Sequence, residues 1–194
     1  MTIPVVENLR GFAFEAAPKY EPQKWNDNEA ISISTNCYCY MLNIQHEPFS
    51  GKLLDPRYSL QPGYISGSGS FFMTRDELMD LIELDGFDVL VDLCKADAKK
   101  LGLVMNQISP KESIPTGYYR VALFVDSEGK DYHCYRENPD HYTWSHKIGD
   151  DEVIDFDASG EKITDPRFAD RDYGEYDYSI LLGFFSIGSQ VYNN

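Results

Sequence analysis

The feature that most constrains this chain is the run Tyr118-Tyr-Arg-Val-Ala-Leu-Phe-Val-Asp126, which is apolar on both faces and rich in β-branched and aromatic residues. A run of this length and composition reads as a strand, and one with no polar face must lie inside a sheet. Ser127-Glu-Gly-Lys130 then supplies a hairpin turn, so residues 131–136 return as an antiparallel partner. A tight connection at 137–141 leads into a further strand at 142–147. Residues 153–157 and the apolar stretch 179–187 are two more strand candidates.

Helical signals are confined to the first half. Thr74 followed by Glu77 forms a capping box, and Leu78, Leu81 and Ile82 then share a face until Asp85-Gly86 breaks the helix. A second helix near 87–101 presents Phe87, Leu90, Val91, Cys94 and Ala98 on one side and ends on Lys99, Lys100 and Gly102. Cys94 on that stripe reads as a buried core thiol. Residues 1–30 read as an irregular arm anchored by Trp25, residues 31–35 alternate like a short strand, and residues 46–70, rich in Pro and Gly, read as a long loop. The resulting expectation is an α+β fold in a single domain over 1–194, with 74–101 as an inserted helical pair.

At 194 residues the chain is long enough to bury a core. Seventeen basic against 32 acidic side chains leave a net charge of −15, which repels phosphate backbones and anionic lipid surfaces, so neither nucleic acid nor membrane is expected as a partner. The 14 Tyr and 11 Phe suit both a β-rich core and the lining of a groove. Met1 to Phe14 lacks the pattern of a signal peptide and no run of 18 apolar residues occurs, so the expected location is cytoplasmic, short of delivery by a phage, virus or secretion system. Cys37, Cys39, Cys94 and Cys134 show no zinc-like spacing, so reduced thiols, no metal and no cofactor are expected.

The candidate chemistry lies at Asn36-Cys37-Tyr38-Cys39. A thiol nucleophile is activated by a helix N-terminus and by a nearby imidazole. Asn36 is a good N-cap, which places Cys37 at the first helical position, where free backbone amides can also stabilise an oxyanion. Cys39 lies about 200° further round, at ~100° per residue, so only one of the two thiols can face a cleft; Cys37 is preferred. His133 and His146 sit on strands expected to be adjacent, where one serves as base and the other orients it. Asp155 or Asp157 are alternatives to His146. His46 and His141 read as surface residues.

Asn36-Cys37-Tyr38 opening a helix, with His133 and His146 on successive later strands, resembles the NlpC/P60 branch of papain-like cysteine hydrolases. That resemblance implies Cys37 as nucleophile, His133 as general base and His146 as its orienting partner. Asn36, Tyr38, Tyr64 and Trp144 would bind a peptide or protein substrate. The motifs Gln61-Pro-Gly63, Asp131-Tyr-His133, Tyr135-Arg136 and Trp144-Ser-His-Lys147 also resemble a group of bacterial and viral proteins, which adds support for these positions but no reaction. One departure concerns the oxyanion hole: the residue six before Cys37, a Gln in papain, is Ile31.

The resemblance therefore implies a thiol peptidase or amidase working through an acyl-enzyme. The alternatives are a deamidase or acyltransferase using the same three residues, and a non-catalytic binding or structural protein on the same fold, such as a virion component or an effector with a protein partner.

Overall fold

The computed structural model describes residues 17–45, 59–68 and 74–189. Three short helices come first: α1 (Gln23–Asn26), α2 (Glu29–Ser34) and α3 (Cys37–Met41). Two longer ones follow, α4 (Arg75–Asp85) and α5 (Asp88–Lys100). The strands are β1 (Leu103–Ile108), β2 (Tyr119–Val125), β3 (Tyr132–Asn138), β4 (Thr143–Lys147), β5 (Val153–Ile154) and β6 (Ile180–Ser189). They form one antiparallel sheet in the order β1-β6-β2-β3-β4-β5. The architecture is α+β. Strand β2 lies inside the sheet and is buried almost throughout, which is what its unbroken apolar run requires.

The sheet separates two apolar layers. Helix α3 covers β3 and β4 on one face, where Arg136 Nη1 donates to the Tyr40 carbonyl at 3.0 Å and the Tyr40 and Ser145 hydroxyls meet at 2.7 Å. Tyr132, Cys134, Tyr119, Val121 and Leu123 share this layer with α3, α4 and α5. The opposite face holds Ala122, Phe124, Tyr135, Trp144 and Phe184 under Ile163 and Tyr178. Strand alternation assigns each side chain of β3 to one layer: Tyr132, Cys134 and Arg136 toward α3, His133 and Tyr135 away from it.

The capping box appears as expected, with the Thr74 hydroxyl accepting from Glu77 N and the Glu77 carboxylate accepting from Thr74 N. Leu90, Val91, Cys94 and Ala98 are buried along α5, whereas Phe87 sits at its N-cap and is 37% exposed. Two expectations need correction. Residues 31–35 do not form a strand, because the Asn28 side chain accepts from Ala30 N and Ile31 N and starts α2 instead. The arm is not irregular where it is described, since it contains α1; Trp25 does anchor it, 2% exposed and edge-on to Tyr40 at 5.0 Å. Of the 46–70 loop, the described part, 59–68, is a series of turns; the remainder, with His46, lies outside the described residues. Strand β1 carries no local signal strong enough to single it out, and its partner β6 lies some 80 residues along the chain.

Candidate functional site

Asn36 starts α3 as the sequence suggests, its Oδ1 accepting from Cys39 N at 3.0 Å. Its Nδ2 donates to the Leu60 carbonyl at 2.9 Å and to the Ser59 hydroxyl at 3.1 Å. One side chain thus caps the helix and pins the 59–68 turns beside it. Between these turns, the start of α4 and the start of β3 lies a cleft of about 490 Å³. Asn36, Cys37, Gln61, Asp131, His133 and Tyr178 are among the residues that line it.

Within the cleft wall the polar groups are mostly partnered. Asp131 is buried; its carboxylate accepts from the Tyr178 hydroxyl at 2.9 Å and lies 3.4 Å from Arg75 Nη1. Burial raises the Asp131 carboxyl above its ordinary range, and Arg75 partly opposes this. The Tyr132 hydroxyl donates to Gln61 Oε1 at 2.8 Å. None of these five residues was a candidate site residue from the sequence, because their partners come from segments far apart in the chain.

His133 and His146 do meet. His146 pairs with Tyr135 in the sheet, two residues along β3 from His133, and the two rings touch diagonally with His133 Nε2 2.8 Å from His146 Nδ1. His146 Nε2 lies 2.9 Å from the Phe156 carbonyl, which can only accept, so that nitrogen carries the hydrogen. In a neutral His146 the Nδ1 is then the acceptor, and His133 Nε2 must be the donor. Both imidazoles are held neutral. Burial lowers His133 well below its ordinary value, with repulsion from His146 adding to it, and burial brings His146 down to about 4 against the pull of the Phe156 carbonyl. Tyr178 stacks on the His133 ring at 4.8 Å.

Cys37 turns toward the other layer. Its Sγ points at the Tyr132 carbonyl, 3.9 Å away, and it is 6% exposed. Cys39 is fully buried, and burial pushes its thiol up to about 12. The structure therefore brings Cys37 and His133 to one cleft and pairs His133 with His146, while the hydrogen bonds of Cys37 and His133 run to Tyr132 and His146 respectively.

The expected substrate-binding residues divide. Asn36 lines the cleft, but its amide is occupied by the cap and the turns. Tyr38 does not line it: the ring is fully buried and its hydroxyl donates to Asp97 at 2.7 Å in the core. Asp97 also accepts from Gly63 N and Ser66 N, so it ties the turns to α5. Trp144 lies on the far face of the sheet, edge-on to Phe184 at 5.7 Å. Tyr64 sits in the 59–68 turns, half-buried, outside the cleft lining. Asp155 and Asp157 do not replace His146; Asp155 binds Lys162 at 2.6 Å and Asp157 organises a turn through Ser159 and Glu161.

No family model matches the chain, and no solved structure does. A curated protein does: insoluble matrix shell protein 1 of Ruditapes philippinarum is 31% identical over 173 residues, covering 89% of this chain and 92% of that protein. The chain belongs to the family of this shell matrix protein. Membership overturns the expectation of a cysteine hydrolase, and the classification as thiol protease or amidase falls with it. The local features that suggested the hydrolase are real, but each has a packing role in this family member. Asn36 fastens the turns, Cys37 closes α3 onto β3, and the His133–His146 bond fills a neutral, aromatic layer.

Proposed function

We propose that the protein is a non-catalytic structural component, of the insoluble-matrix kind that its relative's name describes. The observation that carries this is the near full-length relationship to that protein. A papain-like layout, with a capped helix against an antiparallel sheet, is kept here only as a reading of the fold; the order of α3 before β3 and β4 supports it. Partner proteins are the expected contacts, and the charge of −15 favours basic ones.

One edge of the sheet also suits assembly, and the other is closed. At the short β5 edge Asn26 mimics a strand, donating to the Val153 carbonyl at 3.2 Å and accepting from Val153 N at 2.8 Å. At the other edge β1, Leu-Val-Met-Asn-Gln-Ile, has neither charge nor Pro, and among the described residues no strand pairs with its outer side. Edges without such blocking residues are templates for strand addition.

Sedimentation tests the proposal. The purified full chain, concentrated at physiological salt, is expected to shift into pelletable, SDS-soluble assemblies, and Asn106→Lys in β1 to keep it in the supernatant. A chain that stays soluble and hydrolyses a peptide or amide library, with turnover lost in Cys37→Ala, overturns the reading.

A further inference from the structure

We propose that Cys37 is a thiol–disulfide exchange site, and that Cys134 resolves it into an internal disulfide joining the start of α3 to β3. The inference goes beyond the matrix reading and does not rest on it. All four cysteines are free. Cys37 alone among them lines the cleft; Cys39, Cys94 and Cys134 are 0%, 0% and 1% exposed. Cys134 lies on the face of β3 that α3 covers, in the same apolar layer as Cys37. Burial, and then the neighbouring Cys37 side chain, raise the Cys134 thiol well above its ordinary value. The contact of Cys37 Sγ with the Tyr132 carbonyl places that sulfur against the strand two residues before Cys134, on the same face. The internal disulfide requires the Cys37 side chain to leave this carbonyl and turn toward Cys134.

The co-reactant is a low-molecular-weight disulfide, small enough for a cleft of about 490 Å³. In the first step Cys37, as thiolate, attacks one sulfur of that disulfide. The S–S bond breaks, and the departing thiolate takes up a proton equivalent to the one Cys37 released. In the second step Cys134, as thiolate, attacks Cys37 Sγ, the mixed disulfide breaks, and a second small thiol leaves. Two protein thiols are oxidised and one disulfide is reduced to two thiols. Burial holds the Cys134 thiol protonated, so the second step is the slower one and the mixed disulfide precedes the internal one.

The probe is oxidised glutathione, incubated in excess with the reduced full chain at mildly alkaline pH and followed by intact mass and non-reducing peptide mapping. A single glutathione adduct on Cys37 is expected first, then a species two hydrogens lighter than the reduced chain whose digest contains a Cys37–Cys134 linked peptide. Cys134→Ala is expected to stop at the adduct, Cys37→Ser to give neither product, and Cys39→Ser to behave as the unaltered chain does. The linked peptide is read on the unaltered protein, so the test does not depend on any variant folding. Its absence after the Cys37 adduct has formed overturns the internal disulfide, and adduct formation at an unchanged rate in Cys37→Ser overturns the exchange site.

Discussion

His133 donates from Nε2 to Nδ1 of His146 across 2.8 Å, and the Phe156 carbonyl, accepting from His146 Nε2 at 2.9 Å, fixes the direction of that bond. Both rings are therefore Nε2–H tautomers, and both are neutral inside a layer of Tyr135, Tyr173 and Tyr178. Long-range ¹H–¹⁵N spectra at pH 7.5 are expected to show this tautomer for each. An Nδ1–H signal from His146 would contradict the assignment.

The same burial makes stability depend on pH. An unfolded histidine titrates near 6.5, whereas His146 in the fold does so at about 4. Between these values the unfolded chain binds the extra proton, so the contribution is fully present above pH 6.5 and is lost as pH falls toward 4. A shift of that size corresponds to on the order of 3 kcal/mol. Urea midpoints measured from pH 7.5 to 4 are expected to fall steeply below 6.5, and the slope is expected to flatten in a His133→Phe/His146→Leu double variant. An unchanged slope in that variant would assign the pH dependence to other groups.

Legibility in the sequence followed the range of the interactions. Helices α4 and α5 were readable because Thr74, Glu77 and the Leu78 and Leu90 stripes act within a turn or two of themselves. The Cys37 position was readable because Asn36 caps locally. Residues 31–35 misled because Ile31 and Ile33 alternate with Ser32 and Ser34 at the strand period, and the deciding cap, Asn28, lies just outside the run. Tyr38 and Trp144 misled for a longer-range reason. Asp97, 59 residues away, draws the Tyr38 hydroxyl into the core, and the sheet turns Trp144 onto the far face. The function was not legible from Asn36, Cys37, His133 and His146 at all, because a capped helix and two neighbouring histidines serve packing as readily as catalysis.

Asn36 concentrates several roles in one side chain, so its loss is expected to be felt in two places. Removing the cap of α3 costs about 1 kcal/mol, and the two bonds to Ser59 and Leu60 hold turns with few other ties to α3. Asn36→Ala is expected to lower stability by roughly 2 kcal/mol in all and to speed amide exchange across 59–68. Asn36→Asp keeps the capping oxygen but not the donor. It should recover helix stability at neutral pH while leaving the turns in fast exchange.

Among the described residues Arg136 is the largest fully buried side chain, and its hydrogen bonds run to carbonyl and amide oxygens and to no carboxylate. Its guanidinium lies 3.8 Å from the centre of the Tyr40 ring and donates to the carbonyls of Tyr40 and Lys19 and to Asn43 Oδ1. The charge is thus held by a π face and by acceptors near the end of α3, where helix carbonyls concentrate negative potential. This one residue joins the arm, α3 and β3. Replacement by Met keeps much of the volume but leaves buried acceptors unpaired, each costing about 1–3 kcal/mol. Arg136→Met is therefore expected to destabilise the protein by about 3 kcal/mol or more in guanidinium denaturation. Arg136→Lys should recover only part of that, because an ammonium cannot reach both carbonyls while remaining over the ring. Equal stability of the Met variant and the parent would show that packing of the side-chain stem, rather than its charge and hydrogen bonds, holds this junction together.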